Sequence, residues 1–140
     1  MPVIPDGYRL INEPPDIDEY LRLRTDSGLT PKNRLQGLGA LSGSWSFCHV
    51  RSPADEAVAM GRVIGDGGWY FHVADMATLP AHQRRGLGRL VLINLLDGIR
   101  TSAPAGAYVT LIADAPGRVL YESVGFVESA PDGLGMQMLL

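Results

Sequence analysis

The chain has 140 residues, 46% of them hydrophobic and 19% charged, and a net charge of −3. This suits a single domain over 1–140 with a real core, and the mild acidity argues against a general nucleic-acid binder. One cysteine, Cys48, excludes an internal disulfide framework and a multi-cysteine zinc site, while the lack of a signal peptide or of any run near the roughly 20 apolar residues of a membrane span makes a cytoplasmic protein, with no membrane partner, the expectation.

The first element is a short strand within GYRLINEP (7–14), with Tyr8, Leu10 and Asn12 on one face. PPDIDEYLRLRTDSG (14–28) reads as a helix. Ile17, Tyr20, Leu21 and Leu23 recur at near-helical spacing, acidic residues lead, Arg22 and Arg24 trail, and Gly28 ends the run. TPKNRLQGLGALSG (30–43) can form a second helix against the cost of its glycines. SWSFCHVRS (44–52) alternates as a strand should. EAVAMGRVIGDGG (56–68) and WYFHVADMATL (69–79) flank a glycine-rich turn and predict an antiparallel hairpin. GLGRLVLINLLDGIRTS (86–102) is the clearest helix. Leu87, Leu90, Val91, Leu95 and Ile99 make its apolar face, which Leu92 and Leu96 widen. AYVTLIAD (107–114) reads as a buried strand and APGRVLYESVGF (115–126) as a helix ended by Gly125. The tail FVESAPDGLGMQMLL (126–140) reads as strand, turn, strand. The order implies an α/β fold with a mixed sheet.

The junction LPAHQRRGLGRL (79–90) carries the chemistry. A strand that runs into a helix aims the free N–H groups of the first helical turn at the connecting loop, where an anion can accept them. Gly86 and Gly88 clear the backbone, and His82, Arg84, Arg85 and Arg89 form a basic patch on an acidic chain, which suits a small anionic ligand. The loop is not a P-loop, because no Lys-Ser/Thr follows the second glycine. It is not a dinucleotide fingerprint, because Val91 stands where the third glycine belongs.

Gln83-Arg84-Arg85-Gly86-Leu87-Gly88 resembles the Q/R-x-x-G-x-G/A signature of the GNAT superfamily of acyl-CoA-dependent N-acetyltransferases, and LYESVGF (120–126) resembles that family's L-Y-x-x-x-G-F element. The resemblance runs best over about 56–128. It implies a mixed, mostly antiparallel sheet of six to seven strands with about four helices, splayed between the fourth and fifth strands. Acetyl-CoA is the implied cosubstrate, with no metal. Its pyrophosphate would lie on the backbone of Gln83, Arg84, Arg85, Gly86, Leu87, Gly88 and Arg89, and its pantetheine arm along Met76, Ala77 and Thr78. Asp114 stands where members often carry Asn against the same arm, and as a carboxylate it can accept but not donate.

The resemblance assigns Tyr121 as general acid to the departing thiolate. Asp75 and His72 are alternatives for the base, with ordered water a third. The two residues point to opposite faces of a regular strand, and to one face only if a bulge intervenes. The implied acceptor is a primary amine of a small molecule or peptide, attacked directly, with TDSGLTPKN (25–33) and APDGLG (130–135) shaping its site. Many members dimerise, so a homodimer is compatible. The alternative function is a catalytically silent CoA-binding sensor, which would keep the 83–88 turn without needing Tyr121.

Overall fold

Asp16 and Glu19 stand three residues apart ahead of an apolar run. In the computed structural model, which describes residues 2–140, they close a capping box: Glu19 N donates to Asp16 Oδ1 at 2.8 Å, and Asp16 N to Glu19 Oε1 at 3.3 Å. Helix α1 (Ile17–Asp26) follows and buries Tyr20 and Leu23. Asn33 and Gln36 make a second such box at the start of α2 (Arg34–Gly43). The glycines that weaken this helix are partly explained by packing. A Cβ on Gly37 would lie 2.6 Å from Ile17 Cδ1 and 3.1 Å from Leu21 Cδ2, so the bare position gives room to the ends of these two α1 side chains.

The sheet has five strands in the order β1 (Arg9–Ile11), β2 (Ser46–Arg51), β3 (Ala57–Gly65), β4 (Tyr70–Thr78) and β5 (Tyr108–Thr110). The first four pair antiparallel, and β4 pairs parallel with β5. The β3–β4 turn is tied by Asp66, whose Oδ1 accepts the N–H groups of Gly68, Trp69 and Tyr70 at 2.8, 3.0 and 3.2 Å. Helix α3 (Leu87–Ser102) covers one face of the sheet, with all seven predicted apolar residues buried. Helix α1 covers the other, where Tyr20 meets Phe47 edge-on at 6.1 Å. Strand β2 is therefore buried on both faces. Phe47 turns toward α1, and Cys48 toward Val91 of α3, with burial pushing its thiol up to about 11.

The chain divides into two compact units, one ending at Thr110 and one spanning Leu111–Leu140. In the second, the expected helix over 115–126 is a 3-10 turn (Ala115–Gly117) followed by the short α4 (Arg118–Ser123). The expected strand over 107–114 keeps its ladder only at Tyr108–Thr110. The expected pair of strands in 126–140 does not form, so the sheet has five strands rather than six to seven. Pro131 lacks an N–H, and Gly133 N closes a turn onto Ser129 O at 2.8 Å. Alternation along a segment says nothing about whether a partner strand is available to pair with it.

Candidate active site

Strand β4 leads into the turn through an irregular step. Its register with β3 runs Ala59 to Thr78 and Met60 to Ala77, then shifts so that Arg62 faces Ala74, Val63 faces Val73 and Ile64 faces His72. Asp75 and Met76 together thus oppose Gly61, which is a β-bulge. Asp75 holds φ at 55°, in the left-handed region that Asp tolerates better than most residues. Gly61 is bare for a reason: a Cβ there would lie 2.5 Å from Met76 Sδ and 2.8 Å from Val91 Cγ1. Met76 therefore packs on the α3 side.

The bulge brings the two candidate bases to one face. Arg62 and Ile64 share a face of β3, and their partners Ala74 and His72 share it on β4. The Asp75 carboxylate turns to the same side. It accepts from Tyr20 Oη at 2.5 Å and Arg62 Nε at 2.7 Å, and pairs with Arg24 Nη1. Its side chain is 5% exposed. Burial pushes its pKa up most strongly, but the Tyr20 hydrogen bond and the two guanidiniums together outweigh burial and hold it below the usual carboxylate value. The Tyr20 hydroxyl is pushed up to about 12, first by burial and then by its bond to Asp75. His72 is half-buried, with Nδ1 2.9 Å from Thr110 Oγ1. Burial, then the charge of Arg62, lowers its pKa, which favours the neutral ring. Thr110 Oγ1 also lies 3.4 Å from Phe71 O, and the tautomer in which the hydroxyl donates there and accepts from His72 Nδ1–H is the one that leaves Nε2 with a lone pair.

Beyond His72, β4 loses its outer partner. The β5 ladder covers only Tyr70, Phe71 and His72, and among the described residues no strand pairs with Val73–Thr78 on that side. Met76, Ala77 and Thr78 are on the length of β4 that the β5 ladder does not reach. The turn follows directly. Pro80–His82 make a 3-10 turn, and Gln83 Nε2 donates to Thr78 O at 3.2 Å. Arg84 (φ 62°) and Gly86 (φ 78°) are both left-handed, and buried Leu79 and Leu87 pin the ends of the loop. Gly86 is the N-cap of α3 and supplies no side-chain cap, and the first intrahelical bond is Leu90 N to Gly86 O at 3.0 Å. The amides of Leu87 and Gly88 precede it and have no acceptor within the helix. A Cβ on Gly86 would meet nothing within 4 Å, so the space before the turn is open and the glycine serves conformation. Arg84, Arg85 and Arg89 are exposed at its rim. A helix start of this kind, with amides unpaired within the helix and cations beside them, can hold a pyrophosphate.

In the second unit Tyr121 lies on α4, half-buried, 6.1 Å from the Phe126 ring and edge-on to it. Its carbonyl accepts from Val124 N and Phe126 N at 3.2 and 3.1 Å, and Gly125 takes φ 109°, so Leu120–Phe126 is one locally closed piece. Burial, then the charge of Asp114, raises the Tyr121 pKa and keeps the phenol protonated at neutral pH. Asp114 is exposed, and its carbonyl accepts from Gly117 N at 2.9 Å.

A family model described as an acetyltransferase (GNAT) domain matches residues 44–128. The chain belongs to the GNAT acetyltransferase family. It resembles the [ribosomal protein bS18]-alanine N-acetyltransferase of Salmonella typhimurium at 33% identity over 87 residues, covering 59% of this chain. The chain spans 57% of that relative's length. Among solved structures, a Staphylococcus aureus protein described as a probable acetyltransferase has a TM-score of 0.89 and 32% identity, covering 95% of this chain and 99% of the other. A GNAT family protein of Streptococcus pneumoniae has a TM-score of 0.78 and 26% identity, covering 95% and 98%.

Three contacts of candidate residues do not show in the motifs of this GNAT chain, two within the first unit and one within the second. Tyr8 was expected on a strand face, but its Oη is 2.8 Å from His82 Nδ1 and its ring stands edge-on to the imidazole at 5.8 Å, bracing the turn. Arg62 binds Asp75 across the β3–β4 pair, which only the register reveals. Gly117 lies under Tyr121: a Cβ there would sit 2.8 Å from Tyr121 Cε2 and 3.2 Å from Cζ. The spacing of four residues is the one sequence hint for that contact.

Proposed function

We propose that this chain transfers the acetyl group of acetyl-CoA to a primary amine of a small molecule or peptide by direct attack. The observation that carries the reading is the junction of β4 and α3, where an open strand edge passes through left-handed Arg84 and Gly86 to the N-terminus of a 16-residue helix. When bound, acetyl-CoA supplies an activated thioester. The backbone of Gln83–Arg89 would hold its pyrophosphate, and the edge at Met76, Ala77 and Thr78 its amide-bearing arm, as a strand adds to an open sheet. A backbone N–H near Met76 or Ala77 would polarise the acyl oxygen.

The proton chemistry divides between two side chains. An ammonium must lose a proton before its lone pair can attack. His72 Nε2 can take it, because the ring is neutral near pH 7 and Nδ1 is committed to Thr110. Asp75 is the poorer base, because its carboxylate already accepts from two arginines and a tyrosine. Tyr121 donates its phenolic proton to the departing sulfur, which its raised pKa allows. The test is CoA release from acetyl-CoA across an amine panel. Turnover with a subset of amines is expected, and tight CoA binding without turnover of any amine would favour the sensor.

A further inference from the structure

The cluster around Asp75 is out of charge balance. One carboxylate faces two guanidiniums, and their side chains are only 11% (Arg24) and 15% (Arg62) exposed. Among the described residues no second carboxylate lies within ion-pair distance of either arginine. Glu19 of α1 is taken by Arg51 at 3.0 Å. Neither arginine has a nitrogen that is both buried and without a partner, so the surplus charge keeps an edge open to solvent, where an anion can join it. The surplus can be assigned to one residue. Each nitrogen of Arg24 has a partner: Nη1 goes to Asp75, and Nε and Nη2 to Thr30 O at 3.1 and 2.7 Å. The same is not true of Arg62. Its Nε binds Asp75 and its Nη1 reaches Ser44 Oγ at 3.3 Å, while its Nη2 donates to no group among the described residues.

The unused edge of Arg62 sits beside the candidate base. Arg62 pairs with Ala74 and Ile64 with His72, so Arg62 and His72 are diagonal neighbours on one sheet face, about 7–8 Å apart. We infer that Arg62 binds an anionic group of the acceptor, so that the amine acetylated here belongs to a small molecule with a carboxylate or phosphate a few bonds from its amino group. This rests on the acetyltransferase reading above. The anion completes the charge of the cluster by charge-assisted hydrogen bonds from Nη2, and the same contact sets the amine before His72 Nε2. A peptide N-terminus has an amide at that distance and would leave Arg62 unmatched.

The experiment uses matched amines: alanine against alaninamide for the carboxylate, and phosphoethanolamine against ethanolamine for the phosphate. CoA release and calorimetric binding to the CoA-loaded protein are both read. The anionic member of at least one pair is expected to be favoured about tenfold or more, as a hydrogen bond to a charged group implies. Which pair shows the preference identifies the anion. Arg62→Gln should abolish the preference and Arg62→Lys should keep part of it. Melting curves establish folding, and Arg62→Lys carries the test if Arg62→Gln does not fold. Turnover with no preference in either pair overturns the inference and leaves the acetyltransferase reading intact. Preferential binding of anionic amines without turnover supports the inference and overturns that reading. A preference unchanged in both variants also overturns the inference.

Discussion

Replacing Asp75 by Asn tests the central charge cluster. The change keeps size and shape but removes the charge that balances Arg24 and Arg62, whose side chains are 11% and 15% exposed. Breaking a buried pair from one side leaves the other charge uncompensated and costs about 3–5 kcal/mol. With a urea dependence of about 2 kcal/mol per molar for a chain of this size, the unfolding midpoint should fall by roughly 1.5–2.5 M. The effect should depend on pH in a defined sense. The folded pKa of Asp75 lies below its ordinary value of 3.8, so its contribution is fully present above that value and is lost as pH falls from there through the folded pKa. The gap between wild type and Asp75→Asn should therefore be flat at neutral pH and narrow only below about pH 4. Adding Arg24→Gln to Asp75→Asn should cost less than the sum of the single changes, since the second removes a charge the first left unpaired. A midpoint shift under about 0.5 M at pH 7 would reduce the cluster to the worth of a solvent-screened surface pair and refute the reasoning.

Tyr121→Phe should leave CoA affinity unchanged while turnover falls roughly ten- to a thousand-fold, as loss of a general acid does; steady-state kinetics beside CoA calorimetry checks both. Turnover should fall on acidification with a midpoint below 6.5, because the lowered pKa of His72 is the one that must be deprotonated, and His72→Gln should remove that limb from the pH–rate profile. Gly86→Ala introduces no clash but puts a Cβ at φ 78°, so about 1–2 kcal/mol should be lost from stability or from CoA affinity, read by denaturation and calorimetry. Gly117→Ala should lower turnover without matching loss of CoA affinity, because the added methyl meets the Tyr121 ring at 2.8 Å and displaces it.

What the sequence disclosed depended on the range of the interactions involved. Helix α3 could be read from its 3.6-residue stripe, and all seven of its apolar residues are buried. The capping boxes of α1 and α2 are four-residue patterns that act locally, and they become plain only in the structure. The 83–88 turn could be read because its chemistry is backbone chemistry, and glycine spacing announces it. The tail from 126 to 140 was misread as two strands because pairing needs a partner, and alternation carries no information about one. The roles of Arg62 and Arg24 were hidden for the same reason. They meet Asp75 across 13 and 51 residues of chain, and only the sheet register and the docking of α1 bring them together.

Parity along β4 was the open question between His72 and Asp75, and the bulge answers it. An extra residue opposite Gly61 sends Met76 to the α3 side and lets Asp75 join the face that carries His72 and Arg62. Two acid–base groups then share a face, yet their surroundings drive them to different uses. Asp75 is the residue with the left-handed φ, and its three bonds reach both β3 and α1, so it fastens the irregular step to the rest of the sheet. Its charge is fixed by those partners. His72, three residues earlier, has one ring nitrogen held by Thr110 and the other uncommitted, and its depressed pKa favours the form that accepts a proton. The same step lies just past His72, where the β5 ladder ends, so an ion cluster fastens β4 along the length that this ladder leaves uncovered. Under the proposed mechanism the carboxylate would hold the frame of the site, and the imidazole beside it would take the proton.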